Sequence, residues 1–244
     1  MAIESGDLGE TLQSGVAFSL DRKRPAAQQV YENLRERIVT LELKPGVSLS
    51  RQAVADFYTV SQTPVREALL RLEEEGLVEV YPQSKTLVAR IDLAQARQTQ
   101  FLRTAIELEV AHALIQGSSQ RVLVLARRTL EDQERAHESG DLRLFDRLDR
   151  EFHLTLCSAV GQSALWELVM SRSGHIDRLR KLDLPNPGKT TRVLREHAAI
   201  LDSIAGADET AVTAAVRRHL SGTLATVDSI GAAYPDYFQA GALS

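Results

Sequence analysis

The stretch from Leu49 to Val88 constrains this chain more than any other, because it reads as a short helix, a turn, a second helix and a two-stranded wing. Its centre, Val60-Ser61-Gln62-Thr63-Pro64-Val65-Arg66-Glu67-Ala68-Leu69, starts a helix with a hydroxyl cap and a proline in the first turn. A cap side chain satisfies a free backbone N–H, and proline lacks a donor that would go unused there. Val65, Ala68, Leu69 and Leu72 recur at helical spacing and make one apolar face. Thr63 and Arg66 fall away from that face, where a DNA groove can meet them. Gly76 closes the helix, and Leu77-Val78-Glu79-Val80 and Thr86-Leu87-Val88-Ala89 form a hairpin around Pro82-Gln83-Ser84-Lys85. This is the pattern of a winged helix-turn-helix, and it points to a DNA-binding regulator.

The same residues carry a family resemblance. Val60 to Leu69, followed by Leu72-Glu73-Glu74-Glu75-Gly76-Leu77-Val78, resembles the GntR family of bacterial transcription regulators. Val39-Thr40-Leu41-Glu42-Leu43-Lys44-Pro45-Gly46 is similar to that family's link between its first and second helices. Arg66 matches a family arginine that contacts DNA. Gln62 stands where the family usually has another arginine, and Ser84 with Lys85 replaces a glycine common at the wing tip. These departures bear on which operator is read, because Gln62 can still hydrogen-bond a base edge or a phosphate.

At 244 residues the chain has room for two modest domains. Its 43% hydrophobic and 25% charged composition is that of an ordinary soluble protein. No apolar run approaches the roughly 20 residues that span a bilayer, and the N-terminus has no basic segment followed by an apolar one. A single cysteine, Cys157 in an apolar helical context, excludes an internal disulfide and fits a reducing cytoplasm. A net charge of −4 suits a small DNA-reading domain with a local basic surface better than a protein that coats nucleic acid. Arg22, Lys23 and Arg24 precede the first helix, and Arg51, Arg66, Arg71 and Lys85 lie in the motif region. Alone such charges solvate a surface; on a winged helix they are expected to contact phosphates.

Residues 1–20 are polar and aperiodic and are expected to form a flexible tail. A DNA-binding domain over 21–91 opens at Pro25 with a helix whose face is marked by Val30, Leu34, Ile38 and Leu41. Residues 92–232 read as helices near 92–116, 118–138, 141–159, 162–182, 188–205 and 208–231, with Asp92 and Asp208 as caps of the first and last. Gly117-Ser118, Ser139-Gly140, Gly161, Pro185-Asn186-Pro187-Gly188 and Gly206 punctuate them. Short connections force neighbours to run opposite ways, so the expected architecture is mainly α: a winged helix with a small β-hairpin, then an all-α antiparallel bundle. Residues 233–244 are left as a C-terminal tail.

Asp149 and His153 are four apart on one of these helices and project from one face, with Leu148, Phe152 and Leu156 as apolar neighbours. His197 and His219 lie on the last two helices. A carboxylate with three imidazoles suits Zn²⁺ or another divalent transition metal. From spacing alone the signal is weak, because an Asp-x-x-x-His pair on a helix is more often a surface pair or a satisfied polar contact. However, Leu148-Asp149-Arg150-Glu151-Phe152-His153, Arg195-Glu196-His197 and His219 resemble the metal-binding pattern of the FCD domain. That all-helical effector domain follows the winged helix in the FadR subfamily of GntR regulators. The resemblance implies the ligand set Asp149, His153, His197 and His219, holding Zn or alternatively Ni or Mn, and six helices after the wing suggest the VanR-like branch. Leu102-Arg103-Thr104-Ala105-Ile106-Glu107 is similar to an FCD segment whose arginine faces the effector cavity. Arg103 is therefore expected to clamp a carboxylate, with an internal ion pair to Glu107 as the alternative. His175 is a further candidate lining residue, whereas His112 and His137 belong to no such constellation.

The chain is thus expected to be a homodimeric regulator of double-stranded operator DNA, a repressor relieved by a small carboxylate-bearing metabolite. A metal sensor, in which the metal is the signal, is the alternative. A metalloenzyme is disfavoured, because H-E-x-x-H, glycine-rich phosphate loops and nucleophile elbows are absent from the sequence.

Overall fold

The computed structural model describes residues 18–81, 85–117, 120–239 and 241, so most of the expected N-terminal tail, the wing-tip residues 82–84 and Ser118 lie outside the described residues. The chain divides into two compact units, Met1–Leu93 with Gly231–Ser244, and Ala94–Ile230.

In the first unit, α1 (Ala26–Val39) follows Pro25 and buries Val30, Leu34 and Ile38 completely. Leu41 does not extend that face. The helix ends at Val39, Leu41 takes φ 63°, and Leu43 fills the buried place instead. α2 (Arg51–Tyr58) is capped by Ser50, whose side chain accepts from the Ala53 N–H, and α3 (Gln62–Glu74) follows a left-handed Thr59. Ser61 occupies the cap position of α3 but makes no side-chain cap bond. Val65, Ala68, Leu69 and Leu72 are its buried residues, as their spacing requires. Gly76 adopts φ 71°, a left-handed conformation that favours glycine, and turns the chain into the wing. β1 (Val78–Tyr81) pairs antiparallel with β2 (Lys85–Val88), from Val78 opposite Val88 to Tyr81 opposite Lys85. Each strand is offset by one residue from the expected hairpin. Leu77 is held by the helix, its N–H donating to the Leu72 carbonyl at 2.8 Å, so the ladder starts one residue later.

The second unit is helical among its described residues: α4 (Leu93–Gln116, entered from the first unit), α5 (Gln120–Glu138), α6 (Leu142–Ala159), α7 (Ser163–Arg172), α8 (Gly174–Asp183), α9 (Lys189–Ala205) and α10 (Glu209–Ser221). A 3-10 turn (Leu224–Thr226), α11 (Val227–Ala233) and a second 3-10 turn (Pro235–Tyr237) follow. Two expected helices are broken. The stretch 162–182 divides at Ser173, which ends α7 and begins α8, its hydroxyl bonded to the Met170 carbonyl and to Asp177. The stretch 208–231 divides at Gly222, where Arg192 presses so close that an added Cβ would lie 3.1 Å from its guanidinium. Asp208 caps α10 as expected, accepting from the Ala211 N–H at 2.8 Å. Val110, Leu114, Phe152, Leu156, Trp166, Ile200, Leu201 and Val216 belong to the core. Cys157 is buried among them, and burial followed by the Glu107 charge pushes its thiol up to about 12, which keeps it an inert core residue. No described helix is long and apolar enough to cross a membrane.

Candidate metal centre and effector cavity

The buried stripe of α6 reads Phe145, Leu148, Asp149, Phe152, His153, Leu156 and Cys157, so two polar residues interrupt an otherwise apolar face at the same helical spacing. His197 sits likewise on the buried side of α9 between Val193 and Ile200, and His219 follows Val216 on α10. These helices bring one ligand atom from each of Asp149, His153, His197 and His219 within 4.8 Å of one another. His153 Nε2 is 3.2 Å from His219 Nε2, and His197 Nε2 is 3.5 Å from Asp149 Oδ1. The His197 ring stacks on Phe152 at 4.0 Å between centroids, which fixes its plane.

Every imidazole is held from behind. His153 Nδ1 lies 2.8 Å from Glu107 Oε2, His197 Nδ1 2.9 Å from Gln133 Oε1, and His219 Nδ1 3.3 Å from Glu196 Oε2. Gln133 donates its amide N–H to the Phe145 carbonyl, which turns its oxygen toward His197. Gln133 and Glu196 offer oxygen acceptors to the Nδ1 atoms of His197 and His219, and the tautomer that uses them leaves Nε2 of each ring as a lone-pair donor. Burial and then the neighbouring imidazoles hold His197 and His219 well below the ordinary histidine value, so the rings are neutral. Asp149 is different: burial alone would raise its pKa, but Arg180 and the three imidazoles hold the carboxyl well below its usual range. Two Nε2 atoms 3.2 Å apart, a third buried Nε2 with no hydrogen-bond partner and an ionised carboxylate converge on one space, and wherever both facing nitrogens are unprotonated these donors repel one another. A cation among them removes that repulsion, and an N₃O donor set is one that Zn²⁺ and its divalent neighbours accept. The residues fit a metal.

A partly enclosed cleft adjoins the cluster and is lined by Arg103, Asp149, Arg180, Lys189, His219 and Thr223 among others. Arg103 is only 6% exposed. Its Nε donates to Glu107, its guanidinium lies 5.4 Å from the Trp166 ring centroid, and its Nη2 is buried with no hydrogen-bond partner. The two sequence readings of Arg103 are thus compatible: one edge of the fork makes the internal ion pair, and the other is unsatisfied. Glu107 faces both Arg103 and His153, and these neighbours, the Arg103 guanidinium first, outweigh the effect of burial and lower its pKa. His175 does not reach the cleft. It is buried with Nδ1 2.9 Å from Arg178 Nη2, because Ile176 and Arg180 take the lining positions of α8 and the helical rotation points His175 elsewhere. His112 and His137 make contacts of their own, each 2.9 Å from a threonine hydroxyl.

Sequence reasoning missed Gln133, Glu196, Arg180 and Lys189. Gln133 had a usable signal, since it falls on the buried stripe of α5 with Leu123, Ala126, Leu130 and Ala136. Lys189, 9% exposed, pairs with Asp183, and Arg180 joins Asp149 to Asp177.

On the winged helix, Thr63 and Arg66 are exposed, opposite the buried stripe of α3. Gln62 is also exposed and donates to Gln52 of α2 at 2.7 Å. Arg51 is exposed at the start of α2, and Lys85 is exposed at the start of β2, 5.6 Å from the Tyr81 ring. Arg71 is exposed but engaged, its guanidinium 3.8 Å from the centroid of Tyr31 on α1.

Comparison with known proteins matches residues 26–88 to the bacterial regulatory proteins of the gntR family and residues 98–222 to the FCD domain. The chain is 35% identical over 215 residues to an uncharacterised HTH-type transcriptional regulator in an unstable DNA locus of Streptomyces ambofaciens, covering 88% of this chain and 90% of that protein. It is 31% identical over 223 residues to the HTH-type transcriptional repressor RspR of Escherichia coli, covering 91% and 98%. Among solved structures, E. coli McbR/YncC matches with a TM-score of 0.71 over 86% of this chain and 99% of that one, at 21% identity, a likeness of fold.

Proposed function

The chain belongs to the gntR family of bacterial regulatory proteins and carries an FCD domain, and on that premise we propose that a small organic acid bound beside the Asp149–His219 cluster controls its operator affinity. It is a DNA-binding transcription regulator and not an enzyme. A divalent metal held by Asp149, His153, His197 and His219, Zn²⁺ by its donor set with Ni²⁺ or Mn²⁺ as alternatives, would supply a Lewis-acid contact for a carboxylate. Arg103 supplies the other half of the grip. Its Nη2 is a charged donor, buried beside the cluster with no partner, and this single observation carries the reading. A ligand carboxylate would satisfy it with a charge-assisted hydrogen bond of about 1.5–3 kcal/mol. The same observation favours a metal-assisted organic-acid pocket over a pure metal sensor, in which a free guanidinium edge has no use.

The protein is read as a cytoplasmic homodimer that places two α3 helices in successive major grooves of an operator. Arg66, Thr63 and Gln62 are aimed at bases or phosphates, and Arg51 and Lys85 at the backbone. Repression relieved by the acid is the default, in keeping with the repressor name of one relative. To act, the acid must bind the DNA-competent and DNA-incompetent arrangements unequally, by about 1–3 kcal/mol in typical cases. The test is calorimetry of Zn²⁺-loaded protein against a panel of mono- and dicarboxylates and their amides. A carboxylate that binds wild type, while its amide and the Arg103→Ala variant show no binding, supports the reading. A protein that retains no divalent metal after reconstitution contradicts it. Operator affinity that follows metal loading and ignores every acid would favour the metal sensor.

A further inference from the structure

Two segments of chain join the bundle to the winged-helix unit: the beginning of α4 at Leu93–Ala94, and the stretch after α10 at Ile230–Gly231. They are tied to each other at two places. Inside the bundle, Gln100 of α4 donates its side-chain N–H to the carbonyl of Leu220 at the end of α10, and both residues line the cleft. Inside the winged-helix unit, Ile91 N–H donates to the Tyr237 carbonyl at 2.7 Å and Gln239 N–H to the Ile91 carbonyl at 3.2 Å, a parallel bridge between Ile91 and Phe238. Arg90 Nε adds a bond to the Asp236 carbonyl at 3.1 Å, and the Ile91 and Phe238 side chains are buried. Residues 236–239, expected as part of a tail, are bonded to the segment that leaves the wing.

We propose that residues 234–239 are a latch, which restrains the Arg90–Ile91 linker and so sets operator affinity from outside the DNA-reading face. The proposal rests on the operator-binding reading above. Ile91 and Phe238 both lie beyond the two family matches, which end at residues 88 and 222, so neither match assigns the contact a role. Three features suit a latch. The contact is small, with one aromatic side chain and a few backbone bonds, which places it among the local structures that open without global unfolding. It closes a loop whose other tie, Gln100 to Leu220, is part of the cleft wall, so a displacement of Leu220 or Thr223 reaches the linker by two routes, each a run of chain joined by hydrogen bonds. The route after α10 is itself stiff, with Val227 and Ile230 buried along α11 and Arg192 packed against Gly222 at its start. Closed, the latch limits linker freedom, and a restrained linker costs less to order when two reading heads meet an operator.

The test uses full-length protein, a genomic fragment selected by the wild type, and amide hydrogen exchange. Phe238→Ser, and separately a stop codon after Ala233, should speed exchange at Ile91 about tenfold and weaken operator binding by about as much, with bundle melting and Zn²⁺ stoichiometry unchanged. Phe238→Leu should restore both readouts. Gln100→Leu, which cuts only the tie at the cleft, should speed exchange at Ile91 about threefold although it lies nine residues away along the chain. Unchanged exchange at Ile91 in Phe238→Ser, or faster exchange with operator affinity within about twofold of wild type, overturns the latch. No effect of Gln100→Leu at Ile91 overturns its connection to the cleft. Wild-type protein that selects no DNA would instead sink the operator reading, and the latch with it.

Discussion

The reading helix and the metal cluster put polar side chains to opposite uses. On α3 the functional candidates Thr63 and Arg66 are exposed, and the buried residues Val65, Ala68, Leu69 and Leu72 only hold the helix. In the bundle the functional candidates are the buried residues: Asp149 and His153 interrupt an apolar stripe, and behind each histidine stands a side-chain oxygen of Glu107, Gln133 or Glu196. A surface reader tolerates substitution because water replaces a lost contact. A buried cluster does not, because each removal strands a partner. The contrast therefore predicts that bundle variants lose stability and binding together, while reading-head variants lose binding alone.

The largest effect belongs to His197→Ala. It removes one donor and leaves the Gln133 carbonyl oxygen without the partner that faces it. Wild type should lose thermal stability when stripped by a chelator, by about 4 kcal/mol if free metal stands near a thousand times its Kd, whereas His197→Ala should melt alike with and without metal. Identical wild-type melting curves with EDTA and with Zn²⁺ would remove the metal from the bundle's stability. The pH dependence has a defined sign. His197 and His219 have folded values below the ordinary 6.5, so the unfolded chain binds their protons more readily. Stability of the metal-free bundle is then full above about pH 6.5 and falls as the pH drops, and metal retention falls in the same direction because imidazole must be neutral to coordinate. A metal-free melting temperature that stays flat from pH 8 to pH 5 would contradict neutral burial of these rings.

Gln133→Leu probes the support and not the ligand. Loss of such an outer partner typically costs about 10–100-fold in metal affinity, to be read by competition with a chromophoric chelator. Wild-type affinity in this variant would show that ring orientation is set by packing, with the Phe152–His197 stack the leading candidate. Arg103→Ala should retain the metal and cost about 1.5–3 kcal/mol in binding of an acidic effector. Glu107 is not left bare by this change, since His153 Nδ1 stays 2.8 Å from its other oxygen. A large fall in melting temperature would therefore mean that the Arg103–Glu107 pair is mainly structural.

How far these features were legible in the sequence follows the same division. The α3 stripe is a local pattern, and Val65 to Leu72 could be placed from spacing alone. The quartet Asp149, His153, His197 and His219 was named from a resemblance, because spacing relates only the first two, and the others converge from α9 and α10. Gln133 showed only that it lies on a buried stripe, since it comes from α5, and Glu196 stands beside His197 on α9 but supports His219 of α10, a pairing made only in the packed bundle. His175 was misplaced because helical periodicity says which residues share a face but not which face borders the cleft. The breaks at Ser173 and Gly222 escaped notice for a related reason: helix-compatible residues continue across both, and what interrupts them is a hydroxyl bonded across the turn and a guanidinium pressed on a glycine. The bridge from Phe238 to Ile91 joins positions 147 apart in the chain, a distance at which no local pattern operates.

The smallest effect, and the sharpest test of the contrast, comes from two arginines on α3. Both were expected to touch DNA, and both are exposed. Arg66 faces away from the core beside Thr63, so Arg66→Ala should cost about 1–3 kcal/mol in operator binding with no change in melting. Arg71 lies one turn further toward the wing with its guanidinium over Tyr31, whose hydroxyl in turn bonds to Glu75. Burial and that carboxylate push the Tyr31 phenol up to about 12, so the ring stays neutral and keeps its face available to the cation. An exposed guanidinium committed to a ring is worth about 0.5–1 kcal/mol, and Arg71→Ala should give up that much stability. Its effect on the operator should be smaller than that of Arg66→Ala and should appear mainly as a shallower salt dependence, the mark of a phosphate contact and not of base reading. Titrations of both variants over a range of salt, with urea melts of the same samples, separate the two roles. If Arg71→Ala weakens operator binding as much as Arg66→Ala and leaves stability untouched, Arg71 leaves the ring to read DNA, and the reading head extends a full turn beyond Arg66.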